Sequence, residues 1–481
     1  MIMTRRDFLS ASAACAAGVS IGRARAAPLP RDADVVVIGA GAAGIAAARR
    51  VQAANRTVLV VEAADRIGGR CHTDSMTFGT PFDRGARWLF EPDTNPIIRL
   101  ARSAGTDVFP SQLGQKIRIG RRNARAGETE QFLAALMRAR RAIGETARKK
   151  IDVACASVLP EDLDIWTGTI DFVLGASATG KDLKDLSVMD RASAPERNAA
   201  IGCRQGVGAL LATLGKALPV SLSTPVSRVT WTGRSLGVET SAGRIDARAV
   251  IVTVSVNVLT AGHISFTPEL PKRHLDAAAR LSLGSYDRIA LWLPGNPLGL
   301  GPGETMIEQS SGGKTALLVA NANGSSLCTV DIAGSFGRDL SAQGTGAMTA
   351  FATEWLTKLF GSDAAAAVRQ SAATRWNADP HVLGAMSAAE PGGHPSRRIL
   401  TEPLGNLFLA GEAAHETLWG TVNGAWESGE RAADAALRKI GASKEKNEPT
   451  QPQASKHKPS RAQRRTPSRR GNDAFGFPLP R

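Results

Sequence analysis

The chain has 481 residues, 43% of them apolar and 21% charged, with a formal net charge of +15. That balance excludes an intrinsically disordered chain and supplies core for two or three domains of roughly 150 residues each. Residues 1–30 hold four arginines and one aspartate, and residues 441–481 hold ten Lys/Arg against three Asp/Glu. Two thirds of the excess charge therefore sits at the ends, and no nucleic-acid partner is expected for the folded middle.

The first segment, MTRRDFLSASAACAAGVSIGRARAAP, sets Arg5 and Arg6 ahead of a short apolar run that closes on Ala24-Arg25-Ala26. A basic start, an apolar stretch and an A-x-A ending read as an export signal over residues 1–26. The stretch is far shorter than the ~20 residues of a membrane span, and no later segment is apolar enough to be one. The arginine pair resembles a bacterial twin-arginine signal, which predicts contact with that export machinery and a periplasmic or secreted location. Proteins on that route leave already folded, so a cofactor loaded beforehand is expected.

The next element, DVVVIGAGAAGIAAARR from Asp34, is a β-branched run, three glycines at G-x-G-x-x-G spacing and an alanine-rich helix. The run reads as a buried parallel strand. Gly39 permits the tight turn, Gly41 admits a pyrophosphate, and Gly44 lets the helix pack close to the strand. The helix start offers free N–H groups and a partial positive charge to phosphates, with Ala43 in its first turn. A second strand, TVLVVEAADRIGGR, ends at Glu62 and Ala63, eighteen residues beyond Gly44 for the acid. An acid there bonds ribose hydroxyls, so the unit predicts a dinucleotide cofactor.

Further along come Arg66, Gly68, Gly69 and Arg70 in EAADRIGGRCHT, then Asp83, Gly85, Ala86, Arg87 and Trp88 in FDRGARWLF. Residues 128–150 repeat apolar positions at helical spacing, and 285–293, SYDRIALWL, read as a strand. RQGVGALLATL (204–214), STPVSRVTW with Val226, and RWNADPHVLGA (375–385) follow at intervals. LFLAGEAAHETLWGTVNGAWESGERAA places a strand at 408–410, a turn at Gly411-Glu412 and a helix start around Gly420, Thr421 and Val422. The last 41 residues, rich in Pro, Ser, Gln and Arg, predict a disordered basic tail. Cys71, Cys155, Cys203 and Cys328 are scattered without C-x-x-C or H-E-x-x-H spacing, so buried thiols and no metal are expected.

These motifs together resemble the flavin-containing amine oxidases, the monoamine and polyamine oxidase family, over residues 34 to about 440. The resemblance implies an α/β fold: a Rossmann-like FAD-binding domain with an inserted α+β substrate domain. FAD-binding segments would be 33–90, 201–265 and 376–440. The substrate domain would be 91–200, mostly helical, and 266–375, with the tail at 441–481. It further implies that Gly69, Arg70, Gly85, Ala86, Arg87, Trp88, Val226, Gly411, Glu412, Thr421 and Val422 join the first glycine motif in holding FAD.

In this family an amine gives hydride equivalents to the flavin, and oxygen takes the electrons to form peroxide. Three family features are altered. A Lys usually stands at the position of Arg288, which keeps its proton where a buried Lys can lose it. Two aromatic rings often bracket the substrate nitrogen, where this chain has Met386 and Leu418 or Thr421, with Trp419 adjacent. With one tyrosine in the chain, Tyr286, a two-tyrosine cage is excluded. Ala385 replaces the Cys that attaches FAD in some members, so non-covalent FAD is expected. Ser255 stands where the family often has Pro. Arg288, Met386 and Trp419 are the candidate catalytic residues. A surface ion pair with Asp287 is the alternative for Arg288. An amine or amino-acid oxidase, a desaturase or protoporphyrinogen-oxidase-like enzyme, and a non-catalytic FAD-binding protein all remain open at this point.

Overall fold

The computed structural model describes residues 29–111, 115–197, 199–233 and 235–445. The export signal over residues 1–26, and the tail from residue 446, lie outside the described residues. The β-branched run forms strand Asp32–Ile38, whose residues Val35, Val36, Val37 and Ile38 are at most 3% exposed. It runs parallel to Val58–Val61 on one side and to Gly243–Val252 on the other. Period-2 alternation divides its side chains between two cores. Val35 and Val37 pack with helices Ala42–Ala53 and Val422–Glu445, while Val36 and Ile38 pack into a cluster with Val226, Val252 and Trp376. Burial on both faces is why this strand is continuously apolar.

The sheet around it has eight strands. In order they are Val220–Ser221, Val58–Val61, Asp32–Ile38, Gly243–Val252, Leu236–Thr240, Val226–Thr230 and Ser265–Thr267, with Leu407–Leu409 pairing Gly243–Val252. Helix Ala42–Ala53 lies close against it because a Cβ on Gly44 would overlap the Gly39 carbonyl oxygen. Gly39 itself has φ 102°, which favours glycine.

A second sheet of seven strands takes its members from other parts of the chain. Its order is Gln370–Ala373, Tyr286–Trp292, Leu327–Ala333, Leu317–Val319, Thr305–Glu308, Gln115–Ile119 and Arg122–Asn123. Tyr286–Trp292 thus forms as the sequence predicts. Helix Ala126–Arg148 buries Phe132, Ala135, Leu136, Ala139 and Ile143, and starts two residues before the predicted 128–150. Glu128 sets that start, because its side chain caps the Arg125 N–H at 2.8 Å. The strand of the closing motif is Leu407–Leu409, one residue earlier than predicted, and the final helix, Val422–Glu445, extends into the segment read as tail. None of the described helices is long and apolar enough to cross a membrane.

Candidate active site

Strand Asp32–Ile38 delivers its carboxyl end to a cavity of about 650 Å3. Every candidate cofactor and catalytic residue of the sequence reading lines this cavity except Gly44, which acts behind it as the packing glycine. Glu62 is buried and fixed there: Oε2 accepts from Ala40 N at 2.6 Å and Oε1 from Ala64 N at 2.8 Å. A carboxylate has about four acceptor positions, so two remain for hydroxyl groups.

The two arginines of the second glycine motif divide their work. Arg70 Nη1 donates to the Ala385 carbonyl at 2.7 Å and to Glu412 at 2.8 Å, tying this motif to the closing one. Glu412 also accepts from Ser387 Oγ at 2.6 Å and from Gly420 N at 2.8 Å. Burial pushes the Glu412 carboxyl up, but Arg70, Ser387 and Arg397 outweigh it and hold it below its usual value. Arg66 lines the same cavity, and its Nη1 is buried with no partner among the described residues.

Arg288 sits on strand Tyr286–Trp292, directly opposite Asp331 of Leu327–Ala333. Its Nη1 donates to the carbonyls of Asp83, at 2.6 Å, and Gly85, and its Nε faces Asp331 Oδ2 at 3.4 Å. The surface ion pair with Asp287 does not form. Strand alternation turns Asp287 to the other face, where it accepts from Thr374 Oγ1 at 2.8 Å and Trp376 N at 2.9 Å. Asp331 also accepts from Arg87 Nη2 and from the Tyr286 hydroxyl at 2.8 Å. Burial raises the Asp331 carboxyl, but Arg87 and Arg288 hold it below its usual value, so it stays ionised between two cations.

Trp88, Trp376 and Trp419 all line the cavity. Trp419 is 1% exposed, with Arg397 4.6 Å and Arg197 5.5 Å from its ring centroid. Met386 borders Gly420: a Cβ on that glycine would lie 3.5 Å from the Met386 Cβ. Ser255 has a structural explanation. It caps helix Val256–Thr260, accepting from Val258 N at 3.1 Å and donating to the Val382 carbonyl at 2.6 Å.

Sequence reasoning missed Asp331, Arg191 and Arg197, and gave Tyr286 no place in the site; all four line the cavity. Asp331 left one signal, an acid inside the wholly buried strand LCTVDIA. The four described cysteines are free and buried, as expected. Cys71 lines the cavity, and burial pushes its thiol up to about 12.

The sequence profile of the family described as flavin containing amine oxidoreductase matches residues 42–139 and 112–437. The chain belongs to this family. As a flavin-containing amine oxidoreductase it is an enzyme whose cofactor is FAD. It is 28% identical over 441 residues to a probable polyamine oxidase 4 of Arabidopsis thaliana, with 82% of this chain and 85% of the relative covered. It is also 28% identical to polyamine oxidase 4 of Oryza sativa subsp. japonica, with 82% and 87% covered. Two solved structures share the fold. A cofactor-binding redesign of putrescine oxidase superposes with TM-score 0.73 at 19% identity, covering 85% of this chain and 99% of that one. Cyclohexylamine oxidase from Brevibacterium oxydans superposes with TM-score 0.72 at 22% identity, covering 85% and 100%.

The residues present fit FAD. A Cβ on Gly41 would meet nothing nearer than Gly69 Cα at 3.9 Å, so the turn leaves room for a pyrophosphate. The unpartnered Arg66 Nη1 would supply a cation to it, and Glu62 would supply acceptors for the ribose.

Proposed function

We propose that the chain oxidises a primary or secondary amine to an imine, passing two electrons and two protons to oxygen and releasing hydrogen peroxide. The observation that carries this reading is that the FAD-holding residues and the substrate candidates Arg288, Met386 and Trp419 line one cavity. FAD, when bound, accepts the hydride equivalent that the amine carbon loses. The chain's own residues orient and polarise. Arg288 presents a fixed charge that Asp331 shares with Arg87, and the N-terminal end of helix Val422–Glu445 favours negative charge nearby. Met386 and Trp419 supply an apolar and an aromatic wall for the amine.

The two sheets support assigning 33–90, 201–265 and 376–440 to FAD binding and 91–200 and 266–375 to the substrate. FAD is held without a covalent bond, since Ala385 replaces the attaching cysteine and the Cys71 thiol is too basic to react readily. Export by the twin-arginine route to the periplasm or outside is supported by Arg5-Arg6 and the A-x-A ending. The lost Lys and aromatic cage favour the desaturase-like reading, but the likeness to polyamine oxidases supports amine oxidation over it. Anaerobic mixing of the yellow holoenzyme with an amine panel tests the function. Bleaching of the flavin absorbance is expected, and no bleaching by any amine defeats it.

A further inference from the structure

The substrate end of the cavity carries more positive than negative charge. Arg87 and Arg288 share Asp331, and Arg140 pairs with Glu196 at 3.1 Å. Arg191 and Arg197 line the same cavity and form no ion pair within 4.0 Å among the described residues, with Glu196 acting on Arg191, and Glu412 and Glu91 on Arg197, only from further away. Among the described residues each gives one donor to a carbonyl: Arg191 Nε to Leu174 at 3.4 Å and Arg197 Nη2 to Trp419 at 2.7 Å. An arginine has five donors, so most of both forks is left for a ligand. Burial lowers both guanidinium pKa values, that of Arg197 to about 10 with Arg191 adding like-charge repulsion.

Their position matters as much as their charge. A Cβ on Gly420 would lie 3.7 Å both from Arg197 Nη2 and from Met386 Cγ. Arg197 is therefore beside Met386, at one of the two positions expected to flank the substrate nitrogen, and beside Trp419 next to the other. Phe90 and Trp419 rings lie 5.4 and 5.5 Å from its guanidinium and hold it in place.

We propose that the substrate is an amine that carries a carboxylate, bound through that carboxylate by Arg197 and Arg191. This deepens the amine-oxidation reading and rests on it for the chemistry. A planar carboxylate matches the guanidinium fork and neutralises the cations that the fold leaves unpaired. A polyamine would bring further positive charge to a wall whose acids Asp331, Glu196 and Glu412 are already paired.

Two measurements on the FAD-loaded enzyme test this. The first titrates benzoate, which cannot be oxidised, and follows the visible spectrum of the oxidised flavin, with benzylamine as control. Benzoate is expected to perturb the spectrum saturably. Its Kd should rise at least tenfold in Arg197→Met and in Arg191→Met, with much of the loss recovered in Arg197→Lys. FAD content equal to wild type shows that each variant is folded. No saturable effect of benzoate, or an equal effect in the Met variants, overturns the proposal. The second compares anaerobic flavin reduction by matched pairs that differ by one carboxylate: L-phenylalanine with phenethylamine, and L-ornithine with putrescine. Preference for the carboxylate member by at least tenfold is expected, and preference for the decarboxylated member overturns the carboxylate assignment while leaving amine oxidation standing. Benzoate binding with no reduction by any compound supports the anion site and defeats amine oxidation instead.

Discussion

Arg288 and Arg87 share one buried carboxylate, so their patch keeps a net positive charge that no proton loss can remove. A lysine at 288 would behave differently, because burial makes its proton removable. Arg288→Lys is therefore expected to raise the rate at which reduced holoenzyme consumes oxygen, and Arg288→Met to lower it or leave it slow. Stopped-flow mixing with oxygenated buffer measures this without knowledge of the substrate; equal rates in both variants would place Arg288 away from the flavin. Arg288→Met also strips a donor from the Asp83 and Gly85 carbonyls, so it should cost stability of about 1–3 kcal/mol. Glu62 has the same double role. Glu62→Ala removes acceptors for the ribose and orphans the Ala40 and Ala64 N–H groups, so it should weaken FAD binding and lower the apo-protein Tm together. Loss of FAD with an unchanged Tm would separate the two roles and contradict the geometry. At this scale the sequence showed cations and acids but not their partners. Arg288 was visible as a charge within an apolar strand. Its partner Asp331 lies 43 positions away and is selected only by strand register.

The βαβ unit around the first glycines is local, and it was legible for that reason: strand, turn, helix and second strand all form within residues 32–61. Its glycines fail in different ways when substituted. Gly41→Val puts its side chain into open cavity, so the protein should fold with a near-normal Tm but without FAD. Gly44→Val drives a side chain into the Gly39 carbonyl, so it should prevent folding into soluble protein. Soluble yield and flavin absorbance per protein distinguish these outcomes, and normal flavin content in Gly41→Val would refute the pyrophosphate site. The second sheet was far less legible. It joins Gln115–Ile119 to Thr305–Glu308 and Tyr286–Trp292 to Gln370–Ala373, and such long-range pairing leaves no mark on local periodicity. Its members were readable singly, as with 285–293, while their order was not. Arg191 escaped for a related reason: it belongs to the last turn of helix Val188–Ser193, and only the packing of that helix turns it toward the cavity.

Across the whole molecule, one buried ion pair fastens the inserted region to the closing stretch of the FAD site. Asp190 of helix Val188–Ser193 accepts from Arg397 Nε at 2.6 Å and Nη2 at 2.7 Å, and His394 Nδ1 lies 3.8 Å away. Burial raises the Asp190 carboxyl, but Arg397 outweighs it and holds it at about 2, so its stabilisation is present above about pH 4 and fades as pH falls. Asp190 raises the His394 pKa, so that contribution is present below about pH 6.5 and is lost as pH rises through the folded value. Tm should therefore be highest between about pH 4 and 6.5, and His394→Gln should flatten the decline above that window; an unchanged profile would show that another group sets it. Asp190→Asn, which leaves Arg397 buried without its counter-charge, should cost about 3–5 kcal/mol. The discontinuity of the FAD site also bears on export. Its walls come from residues near 40, near 226 and near 412, so the cofactor site is complete only after the stretch near 412 has folded. A route that threads an unfolded chain would deliver it without FAD, which is made in the cytoplasm. The twin-arginine route proposed from Arg5 and Arg6 would meet that need, because it moves folded protein. Replacing both by lysine should retain the protein in the cytoplasm with FAD already bound, as read by cell fractionation and flavin absorbance. Export of the double variant at the wild-type level would mean that another route carries the protein and that FAD loading does not dictate it.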